Sequence, residues 1–145
     1  MTNANSKIVD AIIPQMKEII VSIESTAILL PNQPVDINIL RQTEKNLKNI
    51  EFRLQFELLS AEDEAEISGD FTLVDTLNDA VEKSQDALNA VRATLVKTLV
   101  IGGGHDQIIS ELKDIRGEID HAIEVQKTFN SLIHLAGLVR RFVGA

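Results

Sequence analysis

Apolar positions along the chain recur every three or four residues, which is the period of a helix with one face turned toward a core. One run with this spacing extends from Ile108 to Val139. No stretch of comparable length alternates apolar and polar residues as a half-buried strand does. The pattern therefore predicts an all-α protein. The clearest example of this helical spacing is the run formed by Val74, Leu77, Val81, Ser84, Leu88, Val91, Leu95 and Thr98.

Three breaks divide the chain into four helical segments. The stretch 30–34 contains two prolines, 68–70 is a glycine-containing turn, and 102–104 is three consecutive glycines. We expect helices over approximately 7–30, 36–67, 71–101 and 106–142. Since short connections make sequential helices antiparallel, the predicted fold is an elongated up-down-up-down four-helix bundle of long helices, with residues 1–145 as one domain.

The first and second predicted helices each depart from a regular amphipathic pattern. Pro14 lies inside the first apolar stripe, where a proline costs about 3 kcal/mol. Because the apolar period passes through it without a change of phase, we favour a kink over a helix that begins near Ile13. In the second segment, Phe52, Phe56 and Leu59 form a second stripe that we expect to widen the apolar face.

The charge balance narrows the function classes. Fourteen Lys and Arg against 22 Asp and Glu give a net charge of -8, and Trp and Tyr are absent, which argues against nucleic-acid binding. The chain has no cysteine for a disulfide or a thiolate metal site. Neither a secretory signal nor a run of 18 apolar residues occurs, so we expect a cytoplasmic protein.

One pair of residues has the spacing of a metal site. Glu118 and His121 form a Glu-x-x-His, which bundle di-metal proteins use twice together with two further glutamates. Here the pair occurs once and lies beside the apolar stripe, so we expect no metal or other cofactor. The glycines at 102–104 indicate a helical hairpin, because no strand precedes them and no phosphate-loop lysine follows. Nothing arranges a catalytic triad, so we expect no enzymatic activity.

The second segment ends in an acidic cluster, Glu62, Asp63, Glu64 and Glu66. Acids are unfavourable at the C-terminal end of a helix, where the macrodipole is negative. A break near Ser60 would instead place them in the first turn of a new helix, and a basic partner would compensate them where they are. The simplest interpretation is a solvated acidic end that favours solubility.

The first and last segments are apolar on more than one face, and such a helix must be buried by something. In the predicted bundle their apolar zones lie at opposite ends of one helix pair, so mutual packing cannot cover both. Coverage by loops and the N-terminal arm is the alternative to association. We expect self-association or a partner helix there. The candidate interface residues are Ile13, Ile20, Ile28, Leu29, Leu132, Leu135, Leu138, Val139 and Phe142.

Three functions follow from these features. The favoured one is a non-enzymatic interaction or scaffold protein that forms a homo-oligomer or binds a protein partner. A membrane-acting bundle is the alternative, because Arg140 and Arg141 beside Phe142 suit a bilayer surface. A metal-binding bundle that uses Glu118 and His121 comes last.

Overall fold

The computed structural model describes residues 3–27, 37–95, 106–120 and 125–144. The all-α prediction is confirmed, since these residues form helices and no strand. Within these ranges five helices are present, whereas four were predicted for the chain. They are α1 (Asn3–Ala27), α2 (Ile37–Ser68), α3 (Thr72–Leu95), α4 (Asp106–Asp120) and α5 (Val125–Gly144).

The turn between α2 and α3 forms as its sequence predicts. Gly69 adopts a φ of 79°, and its N–H donates to the Ala65 carbonyl at 2.7 Å, which ends α2 in a left-handed cap. Asp70 then accepts a hydrogen bond from the Thr72 N–H at 3.0 Å, which satisfies a donor at the start of α3. The chain therefore reverses within three residues, and α2 and α3 pack against each other.

Two alternatives from the sequence are resolved by the helix bounds. Helix α2 runs without a break from Ile37 to Ser68, so a new helix at Ser60 is wrong. Buried Ala61 and Ala65 continue its core face beyond that point. Helix α1 contains Pro14, and its residues on both sides are helical, so a start near Ile13 is also wrong.

The fourth segment forms two helices that pack antiparallel. Glu118 of α4 contacts Ser131 of α5, whereas Glu111, two turns earlier, contacts Arg141 further along α5. A single helix over 106–142 is therefore wrong. Helix α5 then runs parallel to α3, because Gln126 near the start of α5 contacts Thr76 near the start of α3, and Thr94 near the end of α3 donates to the carbonyl of Val143 near the end of α5. Among the described helices α5 is therefore a fifth element that points the same way as α3, and the predicted bundle of four helices is not what forms.

Helix α5 occupies a central position, with α1, α3 and α4 packed against it. Helix α1 also contacts α2 and α4, and α2 contacts α3. One hydrophobic core fills the space between these helices. Its largest fully buried side chains include Ile12, Met16, Ile19, Leu47, Ile50, Leu77, Ile115 and Phe129.

This packing covers most of the candidate interface residues from the first and last segments. Six of them are at most 3% exposed, which contradicts the expectation that their own chain leaves them uncovered. The reason is that α4 folds back, so α5 has three helical neighbours where the predicted bundle provided two. Ile13 is half-buried, and Ile28 and Leu29 lie outside the described residues. The six are Ile20, Leu132, Leu135, Leu138, Val139 and Phe142.

Candidate interaction surface

The most prominent apolar surface lies on α2. Phe52, Phe56 and Leu59 are each 64% exposed, on successive turns of one helix. The two rings touch edge to face, with their centroids 5.3 Å apart. These side chains were predicted to widen the core face, and that prediction is wrong.

The helical phase explains their position. A helix turns by about 100° per residue, so Leu47, Ile50 and Leu54, which are buried, lie about 140–160° around α2 from Phe52. Phe56 and Leu59 lie within about 40° of Phe52. The two apolar groups therefore occupy opposite sides of α2, and the second one points away from the core.

The exposed face of α2 has an ordered composition. Within an arc of about 80°, it is basic toward the N-terminal end, apolar in the middle and acidic toward the C-terminal end. We call this face the outer stripe; it extends over about 38 Å. All its members are exposed. They are Arg41, Lys45, Lys48, Phe52, Phe56, Leu59, Asp63 and Glu66.

The acidic cluster stands in the last turns of α2, since the helix continues to Ser68. The last turn contains no basic residue to offset the helix dipole. In the part of the chain that the structure describes, none of Glu62, Asp63, Glu64 and Glu66 forms an ion pair. The pKa of nearby Glu57 is raised, first by partial burial and then by the charge of Glu64. This end of α2 therefore carries negative charge without compensation.

An open groove of about 540 Å³ adjoins the outer stripe on the side of α1. Its walls include Ile8 and Ala11 from α1 together with Phe52 and Phe56 from α2. Glu57 also lines it. The apolar surface at the centre of the stripe thus continues toward α1.

The polar residues between α4 and α5 form interhelical contacts. Glu111 faces the His134 Nε2 at 3.0 Å and accepts two hydrogen bonds from the Arg141 guanidinium at 2.8 and 2.9 Å. Hydrogen bonds from these partners, His134 first, lower the pKa of Glu111. These contacts join α4 to α5 near the end of α5.

The metal-site candidate is only half described. The Glu118 carboxylate accepts a hydrogen bond from the Ser131 hydroxyl at 2.7 Å, which is another contact between α4 and α5. His121 lies outside the described residues. Among the residues that are described, no three His, Cys, Asp or Glu side chains converge as ligands would.

The residues at the end of α5 that were predicted to suit a membrane surface contact other helices of the fold instead. Arg141 binds Glu111, Arg140 approaches Asp86 of α3 at 3.8 Å, and Phe142 is 3% exposed. An interfacial helix needs an outward apolar face, which this part of α5 lacks. Across the described ranges, no helix combines the length and apolar character required to cross a bilayer.

These features define a class of protein: an all-α protein whose second helix presents an exposed stripe of apolar and charged side chains. Comparison with protein-family models, with curated proteins and with solved structures finds no match to the chain. The function must therefore be argued from the surface itself.

Proposed function

We propose that this chain is a non-enzymatic interaction protein that binds a protein partner through the outer stripe of α2. The observation that carries the proposal is the exposure of Phe52, Phe56 and Leu59, side by side and opposite the core. Together they present roughly 300–400 Å² of apolar surface, the size of patch that is often functional on a soluble protein.

The shape and charge of the surface favour a helix as the bound element. A straight ridge of side chains on an exposed helix packs against another helix, with its apolar centre buried and its charged ends at the rim. Small molecules prefer enclosed apolar pockets, and the groove beside Phe52 and Phe56 is open. The partner is either a second copy of the chain or another protein.

The remaining polar residues support a non-enzymatic role. Glu111, His134 and Arg141 are engaged with one another, and Glu118 is engaged with Ser131, so their contacts serve helix packing. A cytoplasmic setting, in which a net charge of -8 keeps the chain dispersed, is part of the same proposal.

Site-specific photocrosslinking tests the proposal. A photoreactive phenylalanine analogue is placed at position 56, or at Gln85 on the exposed side of α3 as a matched control. Both chains are irradiated in purified form and in extract of the source cells. We expect the probe at position 56 to form a polypeptide adduct that Leu59→Ser in the same chain suppresses, and the probe at position 85 to form none. Equal labelling at both positions would refute an α2 binding face.

A further inference from the structure

We infer that the partner is a second copy of this chain, whose α2 packs antiparallel on the first about a two-fold axis between Gln55 and Phe56. The inference rests on the proposed function and names the occupant of the outer stripe. It follows from the order of charges along α2, which is complementary to itself when the helix is reversed.

Reversal about that axis pairs four of the five charged members of the outer stripe with a residue of opposite sign, and Arg41 has no counterpart within α2. Lys48 of one copy lies opposite Asp63 of the other, and Lys45 lies opposite Glu66. Each pair occurs twice, as the two-fold symmetry requires. In the described residues none of these four side chains has an ion-pair partner within its own copy. The charges are therefore available to a second chain.

The apolar residues take the centre of the same contact. Phe52 of one copy lies opposite Leu59 of the other, and Phe56 lies beside the axis, next to its own counterpart. Burial of these side chains supplies the attraction, while the flanking charges select the orientation. A parallel pair would bring Lys48 against Lys48 and Asp63 against Asp63, which disfavours that arrangement.

The charge order also discriminates against other helices. A uniformly basic amphipathic helix would neutralise Asp63 and Glu66 but would repel Lys45 and Lys48. An acidic helix has the converse defect. A second copy supplies both signs in the required order, and its two lysines compensate Asp63 and Glu66 at the C-terminal end of α2.

Charge reversal provides a test with an internal rescue. Sedimentation of the purified wild type over a concentration series should show a monomer–dimer equilibrium. Lys48→Glu and Asp63→Lys, each alone, should lower the association constant by about tenfold or more, because two like-charged contacts replace two opposite ones. The loss should shrink at high salt, which screens exposed charges.

The rescue is specific for the antiparallel register. Mixing the Lys48→Glu chain with the Asp63→Lys chain restores both pairs, so a heterodimer should form although neither chain dimerises well alone. The double variant Lys48→Glu with Asp63→Lys should dimerise like the wild type. A parallel pair would show no loss in the single variants, because its contacts of Lys48 with Lys48 and Asp63 with Asp63 are repulsive already in the wild type.

Matched controls lie on α4, where Lys113 and Asp114 are exposed. Lys113→Glu and Asp114→Lys change the net charge identically and should leave the association constant unchanged. Since all four positions are exposed, each variant should keep the wild-type circular dichroism spectrum.

Two outcomes overturn the inference. One is a wild type that stays monomeric up to its solubility limit, and the other is a dimer that the charge reversals do not weaken. A monomer whose position 56 still crosslinks another polypeptide would remove the second copy and leave the proposed function standing. A monomer without such an adduct would remove both.

Discussion

Replacing Leu138 and Phe56 by glutamine should have very different effects on folding. Both residues are large and apolar, but Leu138 on α5 is fully buried, whereas Phe56 on α2 is 64% exposed. The comparison tests which apolar surface of the chain points outward. Glutamine is neutral, so neither change alters the electrostatics of the acidic cluster.

The magnitudes follow from burial. Leu138→Gln loses about 1.5–3 kcal/mol of apolar burial and adds about 1–3 kcal/mol for an amide without a hydrogen-bonding partner. The expected loss of about 2.5–6 kcal/mol is a large part of the 5–15 kcal/mol that is typical for a domain, so much of the chain should unfold. For Phe56, about a third of its side-chain area is covered, so its replacement should cost at most about 2 kcal/mol.

Urea unfolding followed by circular dichroism measures both values, at concentrations low enough that the wild type is monomeric. Sedimentation at higher concentration completes the comparison, because Phe56→Gln should weaken association and keep the fold. Equal destabilisation by the two changes would refute the packing described here. A Leu138→Gln chain that is stably folded but fails to self-associate would indicate that α5, and not α2, forms the self-association interface.

Five further substitutions should change the stability of the fold. Gly69→Ala should cost about 1–2 kcal/mol in urea unfolding, since its φ of 79° strains any L side chain, whereas Gly117→Ala inside α4 should gain up to about 1 kcal/mol. Leu88→Ala should cost about 2–5 kcal/mol by the same assay, and an unchanged midpoint would contradict its burial. The pKa of Glu111 is lowered in the folded state, so its ionised carboxylate stabilises the fold at pH values above 4.5. This stabilisation is lost as the pH falls through the pKa of Glu111 in the folded state. Glu111→Gln should therefore reduce the dependence of the free energy of unfolding on pH in this acidic range. The raised pKa of Glu57 has the opposite sign: the ionised carboxylate is disfavoured in the fold, so Glu57→Gln should stabilise the protein at neutral pH and have no such effect well below pH 4.5.

The parts of the fold that follow from local sequence were predictable. The buried face of α3 follows from the spacing of three and four residues between its positions, and Ser84, a polar residue at one of these positions, is buried as the spacing requires. The turn at Gly69 needs a left-handed residue, so its composition alone locates it. In both cases the physical constraint lies within a few residues of the feature it determines.

The reversal between α4 and α5 was not predictable in this way. The apolar stripe passes from Ile119 to Phe129 at helical spacing, and no glycine or proline interrupts 120–126. One long helix and two packed helices satisfy that pattern equally. The choice depends on tertiary contacts such as Glu111 with Arg141, which only the folded chain brings together.

The outer stripe was missed for a different reason. Spacing along the sequence alone assigns the apolar side chains of α2 to one widened face, although their angular positions about the helix axis separate them. Plotting Phe52 and Phe56 around the helix axis would have placed them opposite Leu47 and Leu54. The signal was therefore present in the sequence.

The difference between α2 and α3 supports the proposed partner of the outer stripe. Helix α3 has Asp75 in its first turn and Arg92 in its last, which suits the helix dipole, and Arg92 also binds Glu44 of α2. Helix α2 has neither an acid in its first turn nor a base in its last, and it exposes two phenylalanines along its middle. The uncompensated acidic end of α2 and its exposed rings are both unfavourable for an isolated chain in water. Asp63 and Glu66 lie on the same face of the helix as the two rings. One antiparallel contact would bury the rings and bring lysines to the acidic end, whereas neither apolar burial alone nor charge neutralisation alone would relieve both.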